Sequence, residues 1–360
     1  MTKPIPHPSF LAAALLAWYP RHHRDLPWRH TRDPYAIWLS EVILQQTRVA
    51  QGLPYYETFL AAYPTVQELA AAPEAEVLRY WQGLGYYSRA RNMHHTAQQV
   101  VNEYGGRFPT TYAGLLALRG VGPYTAAAIA SFAFDEAVAV LDGNVYRVLA
   151  RVFGLHADIA APSSRKEFQA LADQHLPPTA PADFNQAIME FGALQCTPAK
   201  PDCLFCPLQQ QCWAFQHGQV ALLPMKSKAK AARTRYFQYF VLRFGDLTYL
   251  RERQEKDIWR GLYDFALAET VVPELPPAEL LRHLDALGAA LDTSQAAEPT
   301  AAYRHVLSHQ KLELRFHPLA LARPLPEKTL AALGLRGYSV AEIDALPKPR
   351  LIANYCSQHL

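Results

Sequence analysis

The chain has 360 residues, half of them hydrophobic, and a formal net charge of +3. That is enough apolar material for a large core and more than one domain, while so mild a charge favours an anionic partner only where basic residues cluster. No apolar run approaches the ~20 residues that span a bilayer, which argues against a membrane protein and for the cytoplasm.

The first predicted element is the apolar run inside "PSFLAAALLAWYP". Trp18 and Arg21 close it without a small-residue cleavage site, so it reads as an amphipathic helix rather than a signal peptide. Runs such as "PYAIWLSEVILQQT", "AEVLRYWQGLG", "YTAAAIASFAF", "NVYRVLARVFGL" and "FNQAIMEFGALQC" follow. They are apolar at three- and four-residue spacing, with Pro, Gly, Asp or Asn between them. About ten such helices make residues 1–215 an all-α domain.

Within it, "TYAGLLAL", then G-V-G, then a second helix form a helix–hairpin–helix pattern over about 113–131. Gly120 and Gly122 allow positive φ and close approach of a ligand. The next helix offers unpaired N–H groups, and Pro123 suits its first position. A phosphodiester fits such a turn; an ordinary interhelical turn fits it as well.

Two carboxylates stand out. Glu41 lies on a helix that is apolar almost all round, where desolvation would keep it protonated near neutral pH; pairing with Arg48 or Arg91 is the alternative. Asp142 precedes Gly143 and Asn144 at a helix start, the place of an N-cap, which would hold it rigid and ionised. Four of the five cysteines then fall at C-x6-C-x2-C-x5-C: Cys196, Cys203, Cys206 and Cys212. Four thiolates so spaced suit a 4Fe–4S cluster, or a structural zinc.

Residues 216–233 are polar and basic, a linker. "RYFQYFVLRFGDLTYLRER" alternates around a Gly-Asp turn and predicts a β-hairpin. "GLYDFAL" and "KLELRFHPLAL" read as strands and "PAELLRHLDALGAAL" as a helix, so 234–352 is a second, α+β domain, with 353–360 as a tail.

The cysteine spacing, downstream of the hairpin and of "AVAVLDGNV", resembles the endonuclease III superfamily of DNA glycosylases, which implies a 4Fe–4S cluster. With "LPWR", "SEVILQQTRV" and "GLGYYSRARN", the match becomes one to MutY-type adenine DNA glycosylases over most of the chain. The resemblance implies a DNA-repair enzyme that flips out and excises adenine opposite 8-oxoguanine or guanine in double-stranded DNA, acting as a monomer. Glu41 would protonate adenine N7, and Asp142 would meet the oxocarbenium ion with Tyr124 and Asn144 positioning it. Strand-cleaving relatives carry a lysine where Tyr124 stands, so the implied enzyme is monofunctional. Arg29 and Gln186 match positions facing the adenine; Gln46, Thr47 and Leu84 match contacts to the partner base, and Tyr86 matches an intercalating wedge. "WRGLYDF" resembles the start of the family's Nudix-like domain, without the carboxylate-rich helix of Nudix hydrolases. Ser308 and His309 match its F-S-H loop, with Leu307 in place of the aromatic. Rival readings are a pyrimidine or mismatch-thymine glycosylase of the same superfamily, a non-catalytic iron–sulfur DNA-binding protein, and a Nudix nucleotide hydrolase.

Overall fold

A computed structural model of the chain describes residues 9–227, 232–276, 279, 283, 302–307 and 310–360. The chain divides into two compact units: Met1–Ala71 with Asn92–Lys228, and Ala72–Arg91 with Ala229–Leu360.

The first unit is helical. Twelve α-helices lie between Phe10 and Gln216 among the described residues of the chain, all but Glu74–Tyr80 wholly or mostly in this unit, where periodicity suggests about ten; some are single turns too short to show a period. α1 (Phe10–His22) starts at Ser9, whose Oγ accepts from Ala12 N at 3.2 Å. α2 (Pro34–Leu44) is capped by Asp33 and has Pro34 at its first turn. Its residues from Tyr35 to Ile43 are all buried, so it runs through the interior rather than over it. α8 (Pro123–Phe134) is similarly enclosed and packs on α2. α9 (Gly143–Phe153) and α11 (Pro181–Leu194) pack on each other, and α1 packs on α11. Leu11, Leu15, Val148, Leu149, Phe184, Ile188 and Phe191 form the core there. Each fully buried side chain of this kind contributes about 1.5–3 kcal/mol. The stretch read as a linker is anchored along its first half. Leu223 is buried and its carbonyl accepts from Arg151 Nε at 2.9 Å. Ile159 N donates to Met225 O, and Ser227 bonds Asp158.

The second unit carries a mixed sheet. β1 (Arg233–Phe244) and β2 (Leu247–Glu252) form the expected hairpin, with Arg243 opposite Thr248 and Gly245 at positive φ in the two-residue turn. β3 (Tyr263–Asp264), β4 (Ala266–Thr270), β5 (Tyr303–Val306), β6 (Gln310–Ala320) and β7 (Leu335–Tyr338) complete the described sheet. Its order is β3-β2-β1-β6-β5, with β4 also on β1 and β7 on β2. β1 and β6 run parallel over their whole length, from Arg233↔Gln310 to Arg243↔Ala320. Helix Arg350–His359 covers this pair, where Tyr355 stacks on Phe316 at 4.1 Å. The sequence-predicted helix "PAELLRHLDALGAAL" lies almost wholly outside the described residues.

Candidate active site

In the helical unit, Arg29, Glu41 and Gln186 line one small pocket with Trp28, Phe132 and Met189. Glu41 reaches it from α2, and burial pushes its carboxyl up to about 7. Its hydrogen-bond partner is Tyr124, not Arg48 or Arg91. Tyr124 stands at the start of α8, where burial and the neighbouring Glu41 and Asp142 charges keep it a neutral phenol.

Asp142 is the N-cap of α9, as expected. One carboxylate oxygen accepts from the N–H groups of Asn144 (2.8 Å) and Val145 (2.7 Å); the other accepts from Asn144 Nδ2 at 2.7 Å. The structure corrects one expectation: burial lifts the Asp142 pKa above the usual carboxyl value in spite of these bonds and Arg147. The cap fixes its position, but its ionisation depends on pH. Asn144 Oδ1 accepts in turn from Arg147 Nη2 at 2.8 Å, and Arg147 donates to the carbonyls of Gly192 (2.6 Å) and Cys196 (2.7 Å). Gly192 lets this happen, since a Cβ there would come within 2.6 Å of Asn144 Cβ.

Cys196, Cys203, Cys206 and Cys212 line a single cavity with Arg151. Arg151 donates to Cys196 Sγ at 3.4 Å and to Thr197 O at 2.8 Å. Burial, and then the neighbouring thiols, push Cys203 and Cys212 up, and Cys206 to about 12. Four clustered thiols, with Cys203, Cys206 and Cys212 resisting ionisation, fit a cationic group, whose charge would offset that penalty. Among the described residues no group of three or more His, Cys, Asp or Glu side chains closes on one metal ion.

The two hairpin glycines differ. Gly120 has φ +78°, and a Cβ there would meet Asn92 Cβ at 2.8 Å, so the fold demands glycine. Gly122, the N-cap of α8, has φ −85° and nothing within 4 Å of its Cβ position. Positive φ, expected of the pair, applies to Gly120 alone; Gly122 leaves open surface above the helix start. Gln46 and Thr47 follow α2, with Gln46 exposed at φ +55°.

In the second unit, Leu84 and Tyr86 line a cleft of about 450 Å³ with Trp259, His305, Leu307 and Arg350. Tyr86 (φ +49°) and Trp259 (φ +64°) both hold left-handed backbone, a conformation uncommon for large residues. Leu307 ends the described loop; Ser308 and His309 lie outside the described residues.

Residues 39–174 match the profile of the HhH-GPD superfamily of base excision DNA repair proteins, and residues 238–358 that of the NUDIX domain. The chain is 47% identical over 222 residues to an adenine DNA glycosylase of Mus musculus, covering 58% of this chain and 43% of the mouse protein. It thus matches less than half the length of that relative. It is 34% identical over 259 residues to an adenine DNA glycosylase of Buchnera aphidicola subsp. Schizaphis graminum, covering 72% of this chain and 75% of that one. The chain belongs to the adenine DNA glycosylase family. A solved thermostable thymine-DNA glycosylase shares the fold of this family member at a TM-score of 0.54 and 32% identity, covering 57% of this chain and 95% of that one.

In this adenine DNA glycosylase family member, the structure therefore gathers Arg29, Glu41 and Gln186 at one pocket and joins Tyr124 to Glu41 and Asn144 to Asp142. Sequence reasoning missed Tyr19, Arg24, Arg147 and Glu190. Glu190 is four residues after Gln186, on the same face of α11, which was a usable signal. It receives Arg24 (2.8 and 2.7 Å) and Arg29 (3.1 and 2.6 Å) on both oxygens. Tyr19 donates to Gln186 Oε1 at 2.8 Å, a contact across 167 residues that no local pattern announces.

Proposed function

We propose that the protein is a monofunctional DNA glycosylase that excises adenine from A:8-oxoguanine and A:G mispairs in double-stranded DNA. The observation that carries this is Glu41: a buried carboxyl with a pKa of about 7, in a pocket, hydrogen-bonded to Tyr124 and near a second, capped carboxylate. Two carboxyl groups held this differently, one by a phenol and one by a helix cap, divide into a proton donor and an ionised carboxylate.

Extruded adenine enters the pocket of Arg29, Glu41 and Gln186. Glu41 donates its proton to N7, the C1′–N9 bond breaks, and both bonding electrons leave with neutral adenine. Ionised Asp142 stabilises the cationic sugar, with Asn144 holding it in place and Tyr124 bonded to Glu41 beside it. Water adds at C1′ and passes its proton to the now ionised Glu41, which restores the acid and leaves an abasic site. No lysine stands at position 124, so no amine-linked intermediate forms there. Gly120 and Gly122 present the start of α8 to a phosphate of the same strand. Gln46, Thr47, Leu84 and Tyr86 contact the partner base and the gap, and Ser308 and His309 distinguish 8-oxoguanine from guanine. Cys196, Cys203, Cys206 and Cys212 hold a 4Fe–4S cluster, which fastens the loop that Arg147 bonds and takes no part in bond breaking. The protein works as a monomer on DNA in the cytoplasm; no described helix is long and apolar enough to cross a membrane.

The test is incubation with duplexes carrying A, T or U opposite 8-oxoguanine or guanine, with and without alkali. Breaks should appear at adenine alone, and only after alkali. Release of thymine or uracil would turn the reading toward the superfamily's other branch. The same preparation should carry about four irons per chain; stoichiometric zinc would overturn the cluster.

A further inference from the structure

Gln186 lines the same pocket as Arg29 and Glu41, and the two ends of its amide are chemically opposite: Oε1 accepts and Nε2 donates. Tyr19, on α1, donates its hydroxyl to Oε1 at 2.8 Å. The Tyr19 ring is itself held, with the Arg29 guanidinium 5.7 Å from its centroid and His23 stacked at 4.8 Å. Arg29 is fixed in turn by Glu190 and the Arg24 carbonyl. Nε2 of Gln186 has no acceptor among the described residues.

We infer that Tyr19 is a specificity-determining positioning residue: by occupying Oε1 it turns Nε2 of Gln186 to the base, so the pocket reads a ring-nitrogen acceptor. The inference rests on the adenine-releasing reading above. With the amide so turned, Gln186, Arg29 and protonated Glu41 all present donors. Adenine carries ring acceptors at N1, N3 and N7, and Glu41 claims N7. A base with N–H at the matching position would set donor against donor, and an unpaired polar group in a closed site discriminates strongly. With the hydroxyl removed, the amide can turn over and the distinction fades.

The test compares wild type, Tyr19→Phe, Gln186→Ala and the double variant on duplexes carrying adenine, 1-deazaadenine or 3-deazaadenine opposite 8-oxoguanine. Tyr19→Phe keeps the ring and removes only the donor. Wild type should lose about five- to tenfold on the analogue lacking the nitrogen that Nε2 meets, as one hydrogen bond allows. Tyr19→Phe should lose a similar factor on adenine and no longer penalise that analogue. In the Gln186→Ala background the same change should have no effect, because Tyr19 acts only through the amide. A Tyr19→Phe that slows all three bases equally, or adds its full loss to Gln186→Ala, would overturn the inference. A readout independent of activity is the Gln186 side-chain amide followed by ¹⁵N NMR in the DNA-free protein. Its two protons should exchange faster in Tyr19→Phe, and an unchanged signal would also overturn the inference. If wild type releases thymine instead, the functional reading falls, while the amide signal still decides the part played by Tyr19.

Discussion

Two glutamates in the helical unit are both buried and behave oppositely. Glu41 on α2 has its carboxyl pushed up to about 7 by burial, with a tyrosine hydroxyl as its hydrogen-bond partner. Burial would raise Glu190 on α11 as well, but hydrogen bonds from Arg24 and Arg29 overcome it and bring the value to about 2. Desolvation sets the penalty, and the cations within reach decide whether a carboxyl meets it by pairing or by keeping its proton. Arg29 touches both sides of the comparison. It lines the pocket with Glu41, yet both its Nη atoms bond Glu190, and it lowers the Glu41 carboxyl less than the Tyr124 hydrogen bond does. Burial keeps the Glu41 carboxyl protonated up to about neutral pH, while the Arg24 and Arg29 clamp keeps Glu190 ionised.

The largest effect should come from removing the proton itself. Glu41→Gln keeps the shape and cannot donate to N7, and loss of one general acid costs about 10²–10⁴-fold. Asp142→Asn should fall in the same range, because the amide keeps the cap and loses the charge. Single-turnover adenine release checks both, and near-wild-type release by either would break the assignment. A substrate purine already alkylated at N7 carries its charge beforehand, so it should partly rescue Glu41→Gln and leave Asp142→Asn impaired.

The next effect tests the clamp. Glu190 titrates at about 2 in the fold against an ordinary 4.5. Its contribution of about 3 kcal/mol is therefore present above pH 4.5 and lost as pH falls toward 2. Glu190→Gln should lose about that much in urea melts at pH 7. It should also free Arg29 to approach Glu41 and draw the Glu41 pKa down. The alkaline limb of the pH–rate profile should then move to lower pH. An unmoved limb would mean that Glu190 is only structural.

In the wild type that limb should lie near pH 7, with rate falling about tenfold per pH unit above it as Glu41 loses its proton. On the acid side the rate should fall as Asp142 takes up a proton, above the usual carboxyl range because burial raises it. A flat profile between pH 6 and 9 would remove Glu41 from the proton transfer.

How far the sequence reached follows from the same physics. Local signals were readable: the Asp142 cap, the Pro123 helix start, the hairpin at Gly245 and the apolar surround of Glu41 each depend on neighbours within a turn or two. That the four cysteines lie close in the chain was readable from spacing, and they line one cavity in the fold. What stayed hidden depends on contacts across the chain. Glu190 and Arg24 are 166 residues apart. Arg147 joins Asn144 to the Cys196 carbonyl only because Gly192 lets α11 approach α9. Gly120 and Gly122 look alike as letters and differ in what surrounds them.

The smallest effect is the reverse of the catalytic one. Because the folded Glu41 titrates at about 7 and the unfolded group near 4.5, the unfolded chain binds fewer protons between those values. Stability therefore falls as pH rises from 4.5 to 7, by about 3 kcal/mol if nothing else responds. Glutamine carries no charge to desolvate and can still accept from Tyr124, but its amide N–H needs a partner of its own. Glu41→Gln should therefore be more stable than wild type at pH 8 by about 1–2 kcal/mol, less than the full penalty. The gain should vanish below pH 4.5, where both side chains are neutral. Thermal melts of the two proteins at pH 4.5 and 8 read the difference directly. Equal melting temperatures at both pH values would place Glu41 in water rather than in the pocket wall, and the contrast with Glu190 would collapse.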